Sequence, residues 1–358
     1  MRTGSHDAPF DEVAPTAIDL FSGCGGTTLG LVQAGFDVVA GVEIDPLARK
    51  AYELNHPAIP LWDDVCQVDV PQLLARLKRK SGQIDLVVGC PPCQAHSALA
   101  RLNGGRYIRN PENKDLVFEL LRIVEGVNPK IVMIENVPRL AEEPRFRKVL
   151  RKLREVGYVG QPTILNARDY GVPQRRLRMV YIGSRIGEVS HAAPLSLRRC
   201  VRDAIADLLP AGISGDPLHD FPETRSKKVA ALINSIPRDG GSRAALPARR
   251  QLACHRRCDG FKDVYGRMAW ADPAPTITGG CVNPSKGRFL HPTENRTITL
   301  REAALLQSFP SDYAFPLDRG KFAVAQLIGN AFPPEFVRLQ GETIIDHLRC
   351  RQRRRTPT

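Results

Sequence analysis

Short apolar runs alternate with longer amphipathic stretches through the first half of the chain. The short runs are rich in Val, Ile and Leu and are closed by Gly, Pro or acidic residues, which is typical of buried strands. Between them, apolar positions recur every three or four residues, as on one face of a helix. The pattern predicts an α/β fold with an open, mostly parallel sheet. Strands are expected at 16–21, 37–42, 84–88 and 130–134, with a short one ending near 62, and helices at 29–34, 46–55, 112–127 and 145–155.

The regular alternation changes in the second half of the chain. After a hairpin-like stretch at 160–182, Pro, Gly and basic residues replace the periodic pattern from about 185 to 270, which indicates a smaller, loop-rich inserted domain. Near the C-terminus, Gln326 to Pro334 is expected to form a ligand loop between two helices. The predicted organisation is an N-terminal extension (1–15), a catalytic and cofactor-binding α/β domain (16–185), the insert (186–270), a return segment that completes the α/β domain (271–347) and a basic tail (348–358).

The composition is that of a folded protein outside membranes. Of the 358 residues, 42% are hydrophobic and 25% are charged, which is ordinary for a globular protein. No apolar run approaches the roughly 18 residues that a membrane span needs, and the N-terminus lacks the apolar core of a signal peptide. The nine cysteines follow no repeating framework, which fits a reducing compartment. We therefore expect a cytoplasmic protein.

The net charge of +13 is unevenly distributed. Between residues 225 and 257 there are nine Lys and Arg residues and a single acid, Asp239, and the chain ends in an arginine-rich run. Such an excess points to a polyanionic partner, and above all to nucleic acid. A solvated basic surface or an unstructured tail would have the same composition and remains the alternative.

A candidate nucleophile follows the fourth predicted strand, where Gly89 to Ser97 reads Gly-Cys-Pro-Pro-Cys-Gln-Ala-His-Ser. The two prolines stiffen the turn, so Cys93 would be presented on a loop at the carboxyl edge of the sheet, where open α/β sheets keep their active sites. The alternative is an inert cysteine near a turn. Downstream, the Arg-, Gly- and Asn-rich stretch 98–111 is expected to be a mobile loop that closes over a phosphate backbone.

Three strand ends carry residues suited to a nucleoside ligand. The turn Ser22 to Thr28 has the pattern Gly-x-Gly-Gly rather than Gly-x-Gly-x-x-Gly, which argues against a pyrophosphate. Glu43 ends the second strand, where a carboxylate can accept from both hydroxyls of a ribose. Asp64 ends the third strand and could accept from an exocyclic amine, unless it only caps a helix. Together they suggest S-adenosylmethionine.

Charged residues near the fifth strand are expected at the same carboxyl edge of the sheet. Glu135 ends that strand, so an acid and a nucleophile would share one rim of the sheet. Arg176 and Arg178 are expected to share one strand face by period two and to point inward. Capping or ion-pair roles are the alternatives for these three residues. The Cys and His residues around His255 match no strong zinc spacing, so no metal is expected.

Taken in this order, the motifs resemble those of the DNA (cytosine-5)-methyltransferase family. The resemblance implies a Rossmann-like, S-adenosylmethionine-dependent methyltransferase sheet with a second, smaller, loop-rich target-recognition domain, and S-adenosylhomocysteine as product. It covers 16–185 and 270–347 and leaves the insert unmatched. Two departures are Cys24, in a turn where a small residue is usual, and His96, in place of a common Phe. The motifs are Asp19-Leu-Phe-Ser-Gly-Cys-Gly-Gly, Gly89-Cys-Pro-Pro-Cys-Gln, Glu135-Asn-Val, Gln174-Arg-Arg-Leu-Arg and Gly329-Asn.

The resemblance also implies roles for single residues. Cys93 would add to C6 of a cytosine, and Glu135 would hold its N3 edge and amino group. Arg178 would reach O2, and Arg176 would support the nucleophile loop or a phosphate. The implied cofactor-binding residues are Phe21, Gly23, Cys24, Gly25, Gly26, Glu43, Ile44, Asp64, Val65, Pro91, Leu116, Asn330 and Ala331, and the implied DNA contacts are Gln94, Ser97, Arg101, Arg106, Arg256, Arg257 and Arg267.

The implied activity is site-specific methylation at C5 of a cytosine that is flipped out of double-stranded DNA. A monomer is expected, either paired with a restriction endonuclease encoded nearby or acting alone in defence or regulation. One alternative is a tRNA cytosine-5 methyltransferase, although the insert lacks the Cys-Phe-Thr element typical of that branch. The other is a non-catalytic DNA-binding protein of the same fold, although Cys93 and Glu135 are both intact.

Overall fold

The computed structural model describes residues 13–92, 116–252 and 263–353. At its centre lies a seven-stranded sheet with the strand order β3-β2-β1-β4-β5-β7-β6. The strands are β1 (Thr16–Leu20), β2 (Asp37–Val42), β3 (Leu61–Trp62), β4 (Leu86–Gly89), β5 (Ile131–Asn136), β6 (Pro162–Asn166) and β7 (Leu177–Ser184).

Helices cover both faces of the sheet and make up most of the regular structure in the second half of the chain. Within the described ranges, none of them combines the length and apolar character that crossing a membrane requires. They are α1 (Gly26–Ala34), α2 (Pro46–Asn55), α3 (Val70–Arg76), α4 (Leu116–Val127), α5 (Pro144–Glu155), α6 (Val201–Ile205), α7 (Lys227–Ser235), α8 (Leu300–Leu306), α9 (Gly320–Asn330) and α10 (Pro334–Arg353).

All strands except β7 run in the same direction. Strands β1 to β5 pair in parallel, whereas β7 is antiparallel to both β5 and β6. The link between β6 and β7 is short and holds no crossover helix, so these strands form the predicted hairpin. Strand order reverses between β1 and β4, and such a switch point creates a crevice for ligands. The predicted α/β sheet is confirmed.

Two apolar layers cover the sheet. On one face α3, α4 and α5 pack against strand residues that include Ile18, Val87 and Val132. On the other face α1 and α10 pack against a second set that includes Leu86. Leu86 and Val87 join different layers because successive side chains of a strand point to opposite faces. Since both faces are buried there, the central strands β1, β4 and β5 are mostly apolar, as the sequence pattern predicted.

Regular structure is sparse in the described part of the insert, which contains α6, α7 and single turns. A small core forms around Leu232, Ile233 and Ile236 and includes Leu290 from beyond the expected boundary at 270. Val201 packs instead with apolar residues of the return segment. The insert is therefore fastened to the return segment on two sides, and its separation as a domain stays a prediction.

Two expectations about the C-terminal region are wrong. Helix α9 continues to Asn330, so the segment from Gln326 onward is largely helical and not a loop. Helix α10 continues to Arg353, past the expected start of a tail at 348. The reason is that Leu348, like Ile345 before it, is buried against the sheet, and this packing holds the last turns of the helix.

Helices α1 and α10 approach closely because residue 30 is a glycine. A Cβ on Gly30 would lie 2.6 Å from the Cβ of Val337 and closer still to the carbonyl oxygen of Pro334. We predict that Gly30→Ala lowers the free energy of unfolding by about 1–3 kcal/mol, because the added methyl group forces the two helices apart. Urea denaturation measures the change. The control is Val32→Ala on the exposed side of α1, and equal stability of both variants would contradict the prediction.

Candidate active site

A cavity of about 970 Å³ opens at the switch point between β1 and β4, a size suited to a small-molecule ligand. Its walls are the ends of β1, β2, β4 and β5, the start of β7 and the C-terminal half of α9. Most of the predicted cofactor and catalytic residues line it together, namely Phe21, Gly23, Cys24, Gly26, Glu43, Ile44, Asp64, Val65, Pro91, Leu116, Glu135, Arg176, Arg178, Asn330 and Ala331.

The turn after β1 has a backbone conformation that most residues avoid. Phe21, Gly23 and Gly25 have φ angles of 60°, 56° and 93°, and glycine adopts such angles without steric cost. One expectation needs correction, because Gly25 does not line the cavity. It lies behind the turn, where a Cβ would approach His56 and Tyr313 to 2.7 Å. Gly25 therefore permits close packing behind the cavity wall.

Glu43 at the end of β2 is held by two backbone donors. Its Oε2 accepts from the N–H of Gly23 at 2.8 Å, and its Oε1 accepts from the N–H of Asp45 at 2.7 Å. Burial raises the pKa of this carboxyl group. Because each carboxylate oxygen can accept a second hydrogen bond, both oxygens can still receive a pair of hydroxyl groups. The neighbouring Ile44 presents an apolar side chain that is 66% exposed, as a site for a planar ring would require.

Asp64 caps a turn and also lies on the cavity wall. Its Oδ1 accepts from the N–H of Cys66 at 2.9 Å, so it caps the short turn after β3. The residue nevertheless lies on the cavity wall beside Val65. Capping fixes the carboxyl group in place and so favours a ligand contact.

Cys24, the unusual residue in the glycine turn, is buried beneath α9. Its Sγ lies 3.8 Å from the carbonyl oxygen of Leu327, and the side chain is 2% exposed. Burial raises the pKa of this thiol to about 12. The thiol is therefore a neutral packing group, and its small size is compatible with the turn.

An ion pair lies on the cavity wall at the end of β5. The Oε1 atom of Glu135, in β5, lies 2.8 Å from the Nε atom of Arg178, in β7, and both side chains are largely buried. The antiparallel pairing of β5 with β7 brings them together. A carboxylate beside a guanidinium offers acceptors and donors to a polar ring edge that carries both kinds of group.

Asn136 fixes the chain that leads to the predicted nucleophile. Its Nδ2 donates to the carbonyl oxygen of Pro91 at 2.8 Å, and its Oδ1 accepts from the N–H of Val137 at 2.8 Å. The sequence had assigned no role to this residue, although its place next to Glu135 was a signal. The nucleophile and the loop after it lie outside the described residues, and with them the predicted Cys93, Gln94, Ser97, Arg101 and Arg106.

Cys90 is a second cavity residue that sequence reasoning missed. Its Sγ lies 3.9 Å from the Oγ1 of Thr27. Burial, and then the charges of Glu135 and Asp19, raise the pKa of the Cys90 thiol well above its usual value. This thiol is therefore neutral, and its side chain helps to shape the cavity wall. Its place directly after β4 could have indicated it, because each neighbouring strand end also contributes to the cavity.

Arg176 requires a correction of its expected role. It lies one residue before β7 and is 2% exposed. Its guanidinium donates to the carbonyl oxygens of Ile277 at 2.9 Å, Gly329 at 3.0 Å and Ala331 at 3.1 Å. Burial lowers the pKa of this group well below its usual value. A contact with a DNA phosphate is wrong for so buried a group. Support of the nucleophile loop stays a prediction, because that loop lies outside the described residues. Among the described residues, Arg176 holds the main chain of the cavity wall.

Two buried glutamines extend this arrangement, which we call the junction (Gln174, Arg176 and Gln307). The Nε2 of Gln174 donates to the Oε1 of Gln307 at 2.7 Å, and its Oε1 accepts from the N–H of Ile277 at 2.8 Å. The Nε2 of Gln307 donates to the carbonyl oxygen of Ile328 at 2.5 Å. The junction thus connects the start of β7 and the return segment to the last turn of α9, which carries Asn330.

Arg267 is not the base or phosphate reader that its charge suggested. It is fully buried, and its guanidinium donates to the carbonyl oxygens of Ile233 at 2.9 Å, Ile236 at 3.1 Å and His291 at 3.0 Å. Acceptors from both the insert and the return segment surround the guanidinium, so a DNA contact is wrong. The other two predicted readers in the insert, Arg256 and Arg257, lie outside the described residues.

The fold and the cavity together define a class. The sheet is that of the Rossmann-like methyltransferases, and the cavity lies where such a sheet holds S-adenosylmethionine, with an acidic residue at the end of β2. The family model for C-5 cytosine-specific DNA methylases matches residues 16–346, and the chain belongs to this family.

The chain is similar to several bacterial proteins over nearly its whole length. It is 35% identical to the Type II methylase M.HgiDII of Herpetosiphon aurantiacus, across 94% of this chain and 97% of that protein. It is 32% identical to the Type II methyltransferase M1.HphI of Haemophilus parahaemolyticus, across 92% of this chain and 86% of that protein.

Solved structures agree with the fold. A protein described as a DNA modification methyltransferase from an Escherichia coli prophage superposes with a TM-score of 0.66 at 25% identity, covering 94% of this chain and 100% of that one. The Dnmt2 methyltransferase of S. pombe superposes with a TM-score of 0.59 at 18% identity, covering 94% and 99%. The second likeness supports the fold alone.

The junction leads to a prediction about Gln307. In Gln307→Leu the carbonyl of Ile328 and the amide of Gln174 each lose one of their buried partners, so we expect the free energy of unfolding to fall by about 1–3 kcal/mol. Since the end of α9 is then less firmly held, affinity for S-adenosylhomocysteine should fall by about tenfold. Urea denaturation and calorimetric titration measure the two effects. The control is Gln72→Leu on the surface of α3; a Gln307 variant that matches this control in both measurements would contradict the prediction.

Proposed function

We propose that the protein transfers a methyl group from S-adenosylmethionine to C5 of a cytosine in a short, specific sequence of duplex DNA, through a covalent bond between Cys93 and C6. The family match supports DNA and cytosine C5 as the target. The observation that supports the chemistry is the Glu135–Arg178 ion pair on the wall of a cavity of cofactor size, beside the anchored Pro91.

Cytosine C5 is a poor nucleophile, and this determines what the residues must do. The Cys93 thiolate adds to C6, so that the C5–C6 double bond is lost and C5 becomes an enamine carbon. Glu135 holds N3 and the 4-amino group and stabilises the charge that develops there, while Arg178 donates to O2. When bound, S-adenosylmethionine supplies an electrophilic methyl group and leaves as S-adenosylhomocysteine. A base then removes the C5 proton, and the Cys93 thiolate is eliminated.

The cavity fits the proposed cofactor. The two accepting oxygens of Glu43 suit the ribose hydroxyls, and Asp64 suits the adenine amine. Phe21 and the exposed side chain of Ile44 suit the two faces of the adenine ring. The methionine end would then lie toward Gly23, Cys24, Gly26, Pro91, Asn330 and Ala331, with Val65 and Leu116 closing the adenine side.

The target cytosine must be flipped out of the duplex, because its C6 atom cannot be reached while the base is stacked. Flipping the nucleotide costs a few kcal/mol, which contacts to the backbone must offset. We infer that the insert (186–270) is the target-recognition domain between the two parts of the catalytic domain (16–185 and 271–347). Arg256 and Arg257 are proposed as its readers, and Gln94, Ser97, Arg101 and Arg106 as contacts from the loop after Cys93.

The biological setting is a further part of the proposal. The Type II names of the relatives support a partnership with a restriction endonuclease of the same specificity. A monomer suffices, because one active site flips one base. A DNA substrate would place the activity in the cytoplasm, on the chromosome.

The first prediction of the proposal concerns Cys93. Bisulfite sequencing of a plasmid incubated with the protein and S-adenosylmethionine should show protected cytosines in one short context. Cys93→Ser should lower the methylation rate at least about a thousandfold, because the covalent route is lost, whereas Cys350→Ser in the exposed part of α10 should not.

A duplex with 5-fluorocytosine at the protected position should trap the wild-type protein covalently, because fluorine cannot leave as the proton does. Binding of that duplex and of the cofactor without trapping would contradict the mechanism. Bisulfite protection of cytosines in tRNA, without protection in plasmid DNA, would contradict the assignment of DNA as the substrate.

The second prediction concerns the pH dependence of cofactor binding. The pKa of Glu43 is raised by burial, so its carboxyl group gains a proton at a higher pH than an exposed glutamate does. Affinity for S-adenosylhomocysteine should therefore be full above this raised pKa and fall as the pH drops through it. Calorimetric titration between about pH 8 and about pH 5 covers the range.

Glu43→Gln should bind about tenfold or more weakly at the upper pH, because the charged acceptor is gone, and should lose most of the pH dependence. The control is Glu188→Gln, which changes an exposed glutamate of the insert. A Glu43→Gln variant with the affinity and the pH profile of the wild type would show that another group binds the ribose.

A further inference from the structure

The outer face of α5 is strongly basic. Arg147, Lys148, Arg151 and Arg154 are all exposed and occupy the side of the helix opposite the buried Phe146, Val149 and Leu153. We call these four cations the α5 stripe. The one acid within the helix, Glu155, lies 2.7 Å from Lys152 and is therefore already paired.

The cations of the α5 stripe differ in their partners from cations of α2, α4 and α10. Arg49 in α2 pairs with Glu53, Arg122 in α4 with Glu119, and Arg338 in α10 with Glu335 and Glu342. By contrast, across the ranges that the structure describes, Lys148, Arg151 and Arg154 have no carboxylate within ion-pair distance, and the guanidinium of Arg147 donates to a main-chain oxygen of Glu142 at 2.6 Å.

Unpaired like charges on successive turns cost the helix stability. Cations four residues apart, such as Arg147 and Arg151, repel by a few tenths of a kcal/mol per pair. The helix accepts this cost because three buried apolar side chains hold it on the sheet. Exposed cations at this spacing can neutralise a row of phosphates such as the backbone of a nucleic acid.

The stripe is separate from the active site. No residue of α5 lines the cavity. Strands β5 and β6 run in the same direction, so α5, which connects them, starts at the edge that carries Glu135 and runs back toward the opposite edge. A duplex that crosses the active edge is stiff over such distances and cannot follow the helix down this face. The stripe is therefore available to a different segment of DNA.

We propose that the α5 stripe binds the phosphate backbone of a second segment of duplex DNA while the first is held at the active site. The twelve residues of α5 span about 18 Å, which matches about five base pairs of duplex. The proposal rests on the proposed function, because it takes DNA as the polyanion of this protein. Binding to a second segment would hold the enzyme on long DNA between methylation events.

The test uses the covalent complex with a short, biotinylated duplex that carries 5-fluorocytosine, so that the active site is filled. Immobilised complexes are then offered a labelled non-target duplex over a range of salt concentrations. Wild-type complexes should retain the second duplex, with retention falling steeply as salt rises. Lys148→Gln combined with Arg151→Gln should weaken retention by roughly tenfold and lower the salt slope by about two, one for each lost charge.

Two further variants make the result specific. Lys78→Gln combined with Lys80→Gln removes the same charge from an exposed turn after α3 and should retain the duplex. Lys148→Arg combined with Arg151→Lys keeps the charge of the α5 stripe and should also retain the second duplex. All variants should methylate a short target duplex at the wild-type rate. Wild-type complexes that retain no second duplex, or an equal loss in the Lys78/Lys80 variant, would overturn the proposal.

Failure of the proposed function gives a different result. The wild-type protein would then form no covalent complex, and retention of the labelled duplex is measured with the immobilised free protein. Weaker retention by the Lys148/Arg151 glutamine variant than by the wild type and the two control variants supports the stripe. Equal retention by all of them overturns it. A stripe that retains structured RNA but not duplex DNA would overturn its assignment to DNA.

Discussion

The burial of the Arg176 guanidinium is the constraint on which the cofactor wall depends. A charge without access to water is stabilised by polar groups around it. Here the two terminal nitrogens of the guanidinium donate to the main-chain oxygens of Ile277, Gly329 and Ala331, whereas its Nε has no partner among the described residues. Those oxygens belong to the return segment, which is distant in sequence from β7. One side chain thereby joins the two parts of the α/β domain, and the wall near the methionine end of the proposed cofactor exists only when both are in place.

The same physical rule governs the acids of the cavity. Asp19 is fully buried behind the glycine turn, and burial raises its pKa to about 7 even though Thr28 donates to it. Glu43 is half-buried, two backbone N–H groups donate to it, and a ligand can add two more donors. Glu135 has Arg178 as a partner. The three carboxyl groups thus differ in their neighbours, and the two that line the cavity, Glu43 and Glu135, are the ones that can still accept from a ligand.

Sequence reasoning located the elements and the site but not the burial of individual cations. The bounds of β2 and α2 agree with the pattern, because apolar periodicity and a capping Asp45 define them locally. Arg176 and Arg267 were misjudged because spacing gives the face of a residue but not what packs over it from segments distant in sequence. Gly25 was misjudged for a similar reason, since the rings behind it come from elsewhere in the chain.

The positive charge of the chain therefore serves several purposes, and the net value of +13 does not measure DNA contact. Arg176 and Arg267 donate hydrogen bonds to main-chain oxygens inside the protein and are not available to DNA. Arg178 is paired with the acid beside which the target base would lie. Only cations that are exposed and lack a carboxylate partner can release counterions from phosphates. Among the helices described, α5 has four such cations along its outer face, and α7 of the insert has two, Lys227 and Lys228. The composition of the chain alone would have pointed to the insert.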